Sequence, residues 1–129
     1  MITFNSVSKI YGNYHALDDV SFRIEDKEFV SLVGGSGAGK STVVKLLLKE
    51  EKPSHGKIFF KGMDVAELKG GGITNYRRRI GTVFQDFRLL PSKNVYENVA
   101  FAMEAAGRPE EEIVSDVPQG LEIVGIKDK

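Results

Sequence analysis

The sequence predicts an α/β fold built around a phosphate-binding loop, and three consecutive segments carry this prediction. Residues 34–42 read Gly-Gly-Ser-Gly-Ala-Gly-Lys-Ser-Thr, which matches the Walker A pattern G-x-x-x-x-G-K-[ST]. The preceding run 28–33 is mostly apolar and predicts a buried strand. The following segment, Ser41–Glu51, has a broad apolar face and predicts a helix. Strand, glycine-rich loop and helix in this order form the context that the motif requires.

Each residue type in the loop suits contact with phosphate groups. Glycines reach backbone angles closed to other residues, so main-chain N–H groups can converge on phosphate oxygens at the positive end of a helix. Lys40 supplies a mobile positive charge for β- and γ-phosphates, the Ser41 hydroxyl is the expected Mg²⁺ ligand, and Thr42 can donate to an α-phosphate oxygen. The candidate nucleotide-binding residues are therefore Gly34, Gly35, Ser36, Gly37, Ala38, Gly39, Lys40, Ser41 and Thr42.

Alternating apolar and polar residues predict most of the β structure on both sides of this loop. The cluster Lys52–Gly56 predicts a turn that ends the helix, because it contains proline, serine and glycine. The predicted strands are Ile2–Ile10, Leu17–Ile24, 28–33 and Lys57–Lys61, followed by a β-rich run at Ile80–Gln85.

Helical periodicity dominates the remainder of the chain. Apolar residues recur at helical spacing in Val95–Ala106, and the three consecutive glutamates of 110–112 suit the first turn of a helix. Besides Ser41–Glu51 and Val95–Ala106, the predicted helical segments are Ile73–Arg79, Glu110–Asp116 and Leu121–Val124.

Composition excludes several classes of function. The 18 basic and 18 acidic residues cancel, so no overall field favours nucleic acid, and we expect no nucleic-acid partner. The chain contains no cysteine, which removes thiolate nucleophiles and cysteine-bound metals. No secretory signal is evident at the start, and no apolar run approaches the ~20 residues that span a bilayer. Any membrane association is therefore expected to be peripheral, through a partner.

Several further segments lie at characteristic distances from the loop. They are Lys9–Gly12 upstream, and 53–58, 62–65, 79–91 and 95–101 downstream. Together with the loop, they resemble the nucleotide-binding domain of ABC transporter ATPases. Within that family, 85–91 and 95–101 are most similar to the FtsE branch, the ATPases of bacterial cell division.

The resemblance implies a P-loop NTPase fold of the ABC type, of which this chain corresponds to the N-terminal portion. The expected parts are an antiparallel β subdomain, the first part of a parallel-sheet core and the start of a helical subdomain. In this sequence we expect the β subdomain and a core strand at 1–33, the Walker A loop at 34–42, the Q-loop region at 80–91, and the beginning of the helical subdomain at 95–129.

The resemblance also assigns two site residues outside the loop. Tyr11 corresponds to the aromatic residue that stacks on adenine, although an ordinary tyrosine at a strand end is the alternative. Gln85 corresponds to the Q-loop glutamine, a catalytic residue that completes Mg²⁺ coordination or holds the attacking water. The implied cofactors are ATP and Mg²⁺, with Ser41 and Gln85 as metal ligands. Phe87, Leu89 and Leu90 either form a groove for a permease helix or pack in the core.

The later motifs of the family have no match in this sequence. These are the LSGGQ-type signature, the Walker B aspartate with its catalytic glutamate, the D-loop and the switch histidine. Because hydrolysis needs a group that orients water, we expect this chain alone to bind ATP–Mg²⁺ weakly and to have negligible turnover. The parent protein would be an ATPase.

The function implied by the resemblance is that of an ATP-binding subunit in a cell-division complex. Such a subunit couples ATP to an integral membrane permease of the FtsX type, forms a homodimer when it binds ATP, and lies at the cytoplasmic face of the plasma membrane. Two alternatives remain open. One is the ATPase of a related ABC importer or lipoprotein exporter, and the other is a non-catalytic nucleotide-binding fragment.

Overall fold

The computed structural model describes residues 1–127 and contains two compact units, Met1–Ile80 and Gly81–Lys129. The first unit is organised around a four-stranded antiparallel sheet in the order β2-β1-β3-β4. Its strands are β1 (Ile2–Tyr11), β2 (Tyr14–Ile24), β3 (His55–Phe60) and the short β4 (Met63–Asp64). The predicted strands at 2–10, 17–24 and 57–61 are therefore confirmed. β1 and β2 are longer than predicted, and β3 begins two residues earlier and ends one residue earlier.

The alternation that predicted these strands also determines which face of the sheet is buried. Phe4, Val7 and Ile58 are almost completely buried, and the Phe4 ring stacks on Phe22 with centroids 4.5 Å apart. The pairing of β1 with β2 shifts register between Phe4 and Val7, where Ser6 takes a positive φ of 47°. This irregularity keeps both Phe4 and Val7 in the core although they are three residues apart.

Helix α1 (Lys40–Leu47) follows the glycine-rich loop and is shorter than the predicted 41–51. It ends in a Schellman motif, in which the N–H of Lys49 bonds to the Leu46 carbonyl and the N–H of Glu50 to that of Lys45. Lys49 adopts the left-handed conformation that this motif requires, with φ 53°. Its ammonium group donates to the Val65 carbonyl at 2.7 Å, which ties the end of α1 to the next segment.

That next segment contains a 3₁₀ turn (Val65–Glu67) and helix α2 (Gly71–Arg77), which caps the last carbonyls of α1. The buried Tyr76 hydroxyl donates to the Leu47 carbonyl. The Arg77 guanidinium donates to the Leu48 and Lys49 carbonyls, both at 2.9 Å. Arg77 therefore has a structural role at the end of α1.

Replacing Tyr76 by phenylalanine is expected to lower the free energy of unfolding by about 1 kcal/mol, because the Leu47 carbonyl loses its donor. Burial raises the pKa of Tyr76 to about 12, whereas an unfolded tyrosine titrates near about 10. The neutral phenol stabilises the folded state below the unfolded pKa, and this contribution is lost as pH rises towards the folded pKa.

Urea denaturation of both proteins between neutral pH and pH about 12 tests this expectation. The stability difference between wild type and Tyr76→Phe should shrink above pH about 10. Tyr96→Phe, at a residue that is 37% exposed, is the matched control and should leave the free energy of unfolding at neutral pH unchanged. A Tyr76→Phe variant as stable as wild type at neutral pH would contradict the capping role.

The second unit contains helices α3 (Val95–Ala105) and α4 (Glu110–Ile123). α3 begins with a complete capping box: the Glu97 N–H bonds to the Asn94 side chain at 2.9 Å, and the Asn94 N–H to the Glu97 carboxylate at 2.8 Å. The buried core of this unit consists of Ala100, Ile113, Val117 and Leu121. No helix within residues 1–127 is both long and apolar enough to cross a membrane.

The sequence predicted two short helices in the region that forms α4, and the structure joins them. Pro118 lies inside α4 and cannot donate to the Val114 carbonyl. Val114 is 60% exposed, so water can satisfy this carbonyl, while Ile113 and Val117 hold one continuous face in the core. Residues 128 and 129 of the predicted 95–129 region lie outside the described residues.

The predicted core strand at 28–33 and the predicted β-rich run at Ile80–Gln85 form no strand in the described part of the chain. The segment 28–33, expected as a buried core strand, has no regular secondary structure and is exposed, with Phe29 at 93% and Val33 at 90% exposure. The run Ile80–Gln85 likewise forms no strand, and residues 85–88 make a turn. A strand is stable only when a neighbouring strand forms hydrogen bonds with its backbone N–H and C=O groups. Within residues 1–127, neither segment has such a neighbour.

Candidate functional site

The glycine-rich loop packs directly against strand β2 where it enters helix α1. Gly39 is the N-cap residue of α1 and has φ 83°. A Cβ atom at this position would lie 2.8 Å from Cδ2 of Leu17 and closer still to the Ala16 carbonyl oxygen. Only glycine therefore fits both the backbone conformation and the space.

The first turn of α1 points its free N–H groups into this loop. The first N–H groups of any helix lack partners within the helix, and no side chain of the described residues caps this end. Aligned peptide dipoles add a partial positive charge there. The loop therefore presents main-chain donors and positive potential in one place.

The Lys40 ammonium group folds back over the loop. It donates to the Gly34 carbonyl at 2.7 Å and to the Gly35 carbonyl at 2.6 Å. The N–H of Ala38 also points towards the Gly35 oxygen, at the longer distance of 3.3 Å. Two donors, one of them charged, thus converge on the same side of the loop.

A cavity of about 190 Å³ opens beside these donors. The hairpin of β1 and β2 forms one side, through Tyr11, Tyr14 and Ala16, and the loop with the start of α1 forms the other, through residues 37–42. The structure therefore brings Tyr11 together with the last six residues of the Walker A pattern. Gly34 and Gly35 contribute carbonyls beneath Lys40, and Ser36 lies exposed at the start of the turn.

Tyr11 is fixed by a charged network on the side of its hydroxyl. The hydroxyl donates to the Glu51 carboxylate, which also pairs with Lys9 at 3.0 Å. The Lys9 ammonium lies 4.9 Å from the centroid of the Tyr11 ring. Burial and the Glu51 carboxylate raise the pKa of Tyr11, and the hydrogen bond from Tyr11 lowers the pKa of Glu51. The phenol therefore stays neutral, and its ring is held at the mouth of the cavity, 40% exposed.

Sequence reasoning missed Tyr14, which lies opposite Tyr11 in the β1–β2 register. The Tyr14 hydroxyl donates to the Gly37 carbonyl in the loop at 2.6 Å. A pair of tyrosines separated by Gly12 and Asn13 was the available signal, because a two-residue turn places its flanking residues side by side.

Gln85 belongs to the second unit, at the start of the exposed turn 85–88. Asn98 of α3 fixes the segment after this turn, since its side chain bonds to both the N–H and the carbonyl of Leu90, at 2.8 and 3.2 Å. Phe87 and Leu89 are 72% and 66% exposed, so in the described residues they do not pack in the core. The role of Gln85 stays a prediction from the sequence.

Comparison with known proteins identifies relatives along the whole chain. A family profile described as ABC transporter matches residues 17–129. The cell division ATP-binding proteins FtsE of Mycobacterium tuberculosis and Bacillus subtilis are each 46% identical, over 131 and 130 residues, and the matches cover 100% of this chain and 57% of each relative. The methionine import ATP-binding protein MetN of Geobacillus kaustophilus is 43% identical over 130 residues, with 98% of this chain and 38% of MetN covered.

Solved structures give the same result for the fold. The ATP-binding cassette MJ0796, in a dimeric post-hydrolysis state bound to ADP and Pi, superposes with a TM-score of 0.83 at 32% identity and covers 95% of this chain. The cbiO1 protein of Clostridium perfringens, part of the cbiONQ transporter complex, superposes with a TM-score of 0.81 at 32% identity and covers 98% of this chain. This chain spans 56% and 51% of these two structures.

The antiparallel β subdomain, the glycine-rich loop with its helix, and the helices that follow all have counterparts in these proteins. The chain spans about half the length of the solved structures that it matches. Since the family profile covers residues 17–129 and relatives align with the whole sequence, this chain belongs to the ABC transporter family and has the fold of the N-terminal portion of its P-loop nucleotide-binding domain.

Proposed function

We propose that this chain forms the phosphate-binding and adenine-binding half of an ATP–Mg²⁺ site. The observation that supports this proposal best is the cavity of about 190 Å³ that places the Tyr11 ring beside residues 37–42. An aromatic ring and a cluster of phosphate donors on facing walls match the two ends of a nucleotide. The relative MJ0796 is described as bound to ADP and Pi.

The phosphate end relies on the donors of the loop. The Lys40 ammonium is held by two neutral carbonyls, those of Gly34 and Gly35. A phosphate oxygen carries negative charge and forms a stronger, charge-assisted hydrogen bond, so a phosphate entering the loop would draw the ammonium away from these carbonyls. The Ala38 N–H and the first N–H groups of α1 would bind the remaining oxygens.

The adenine end relies on Tyr11. Its hydroxyl is already bonded to Glu51, and the Lys9 ammonium lies over one face of the ring, which leaves the other face as the part of Tyr11 that a ligand in the cavity would contact. Stacking on an aromatic face favours any flat base, so this wall gives affinity more than selectivity for adenine.

Mg²⁺ fits the proposed ligand set, because Ser41 offers a hydroxyl oxygen in the first turn of α1, next to the phosphate donors. Mg²⁺ prefers hard oxygen ligands and is usually held by few protein groups together with phosphate oxygens and water. Gln85 would add an amide oxygen, as the family resemblance implies. Bound there, Mg²⁺ would neutralise part of the charge on the β- and γ-phosphates.

For the whole protein, we favour an FtsE-like role in bacterial cell division, with an FtsX-like permease as partner. The FtsE proteins of two bacteria are 46% identical to this chain, and the segment 85–101 carried the resemblance from sequence. In this role the protein would form a homodimer when it binds ATP and would be held at the cytoplasmic face of the plasma membrane by the permease.

An ABC importer ATPase is the second candidate. MetN of Geobacillus kaustophilus is 43% identical, nearly as similar as FtsE, and its name assigns it to methionine import. Co-purification of the full-length protein with tagged FtsX-type and methionine-type permeases separates the two roles. Retention by the FtsX-type permease alone supports cell division, and retention by the methionine permease alone overturns it.

Titration of the 129-residue chain with the fluorescent analogue mant-ATP, with and without Mg²⁺, tests the proposed site. We expect weak, saturable binding that Mg²⁺ strengthens and that unlabelled ATP reverses. Phosphate release should stay at background, because the described residues that line the cavity include no carboxylate that could act as a base for water. The absence of ATP-reversible binding would contradict the proposed nucleotide site. Turnover typical of an intact transport ATPase would contradict the expectation that this chain alone does not hydrolyse ATP.

A further inference from the structure

The hydrogen bond between Tyr14 and the phosphate-binding loop links two parts of the chain that the Walker A pattern does not connect. Tyr14 opens strand β2, whereas Gly37 lies in the turn before α1. The hydroxyl of Tyr14 donates to the Gly37 carbonyl at 2.6 Å, within the normal range for such a bond. The hairpin therefore holds the loop through a side chain as well as through the packing of Gly39 on β2.

This bond fixes the orientation of one peptide group of the loop. In a trans peptide, the C=O bond of one residue and the N–H bond of the next lie in one plane and point in opposite directions. With its carbonyl held by Tyr14, the Gly37–Ala38 peptide directs the Ala38 N–H away from the Tyr14 hydroxyl. That N–H points towards the Gly35 oxygen, on which the Lys40 ammonium also converges.

We propose that Tyr14 is a positioning residue for phosphate binding: its hydroxyl orients the Gly37–Ala38 peptide so that the Ala38 N–H faces the phosphate. The inference rests on the proposed function and adds a residue outside the motif. Glycine at position 37 leaves this peptide free to rotate, with φ 80°. Without the anchor, part of the population turns a carbonyl towards the phosphate, and a carbonyl repels an anion.

The variant Tyr14→Phe tests the role of the hydroxyl independently of the role of the ring. The variant keeps the aromatic wall of the cavity and removes the hydrogen bond to Gly37. Loss of one neutral hydrogen bond should weaken binding of mant-ATP and of inorganic tripolyphosphate by about three- to ten-fold. Adenosine has no phosphate, so its affinity should not change. Tyr96→Phe, in the second unit, is the matched control and should bind all three ligands as wild type does.

The experiment measures these affinities by direct titration with mant-ATP and by displacement with tripolyphosphate or adenosine. It is combined with the ¹³C chemical shift of the Gly37 carbonyl in the ligand-free chain, which should move upfield in Tyr14→Phe. A purely structural effect would lower the melting temperature and weaken adenosine binding as much as tripolyphosphate binding, which would overturn the inference. Unchanged tripolyphosphate affinity would also overturn it.

Failure of the proposed function is recognised separately. If the wild-type chain binds no mant-ATP, the ATP site is wrong, and the Gly37 carbonyl shift still decides whether Tyr14 anchors the loop. If wild type binds mant-ATP and Tyr14→Phe binds it equally well, the ATP site stands and the role of Tyr14 does not.

Discussion

Replacing Lys40 by alanine is expected to weaken mant-ATP binding by about 10- to 100-fold, the largest loss of affinity that a single substitution should cause here. The ammonium is the one charged donor on the loop wall of the cavity, within the described residues 37–42. Its present partners, the Gly34 and Gly35 carbonyls, are neutral and exposed to water, so the variant leaves no buried charge unpaired. The effect should therefore fall on ligand binding and leave folding unchanged.

Lys45→Ala is the matched control, because Lys45 lies on the same helix and its loss changes the net charge equally. Lys45 is half-exposed and its ammonium lies 3.6 Å from Glu51, which keeps Lys9 as a closer partner at 3.0 Å. We expect its mant-ATP affinity to stay close to that of wild type. Either of two results would show that the loop is not the binding site. One is equal mant-ATP affinity of Lys40→Ala and wild type, and the other is an equal loss of mant-ATP affinity in both lysine variants.

The loop could be predicted from sequence because its donors are contiguous in the chain. Nine consecutive residues specify the glycine turns, the charge and the start of the helix, so local physics is sufficient. Tyr14 reaches the loop only through the hairpin, and its contact with Gly37 spans 23 positions. The sequence places Tyr14 beside Tyr11 across a two-residue turn, but it does not show that the Tyr14 hydroxyl reaches Gly37.

The segments 28–33 and Ile80–Gln85 show where prediction from the sequence fails, because neither forms the predicted β structure. Their composition favours β structure, yet a strand also needs a partner, and composition does not say whether one is present. In the described residues Phe29 and Val33 are almost fully exposed instead. Helix α4 shows a third case: the sequence predicted two short helices, Glu110–Asp116 and Leu121–Val124. The structure has one helix through Pro118, with Ile113, Val117 and Leu121 buried on one face.

Gly39→Ala is expected to cause the largest loss of stability among substitutions in the loop, through two separate effects. The left-handed φ of 83° disfavours alanine by roughly 1–2 kcal/mol. In addition, the new Cβ would contact the Ala16 carbonyl and Leu17 side chain, and such overpacking costs about 1–3 kcal/mol. These costs are large against the 5–15 kcal/mol by which typical domains are stable.

Gly12→Ala has the backbone effect without the contact, so comparing it with Gly39→Ala isolates the cost of the contact. Gly12 also has a positive φ, of 58°, but no described atom lies within 4 Å of a Cβ built there. Urea denaturation of both variants therefore compares the same backbone penalty with and without the contact on β2. We expect Gly39→Ala to be clearly less stable than Gly12→Ala. It should also bind mant-ATP more weakly than wild type, though with a smaller loss than Lys40→Ala, because the loop must move away from Ala16. Equal stability of the two variants would show that the loop moves away from β2 without loss of free energy of unfolding. In that case its packing on β2 does not hold the phosphate donors in place.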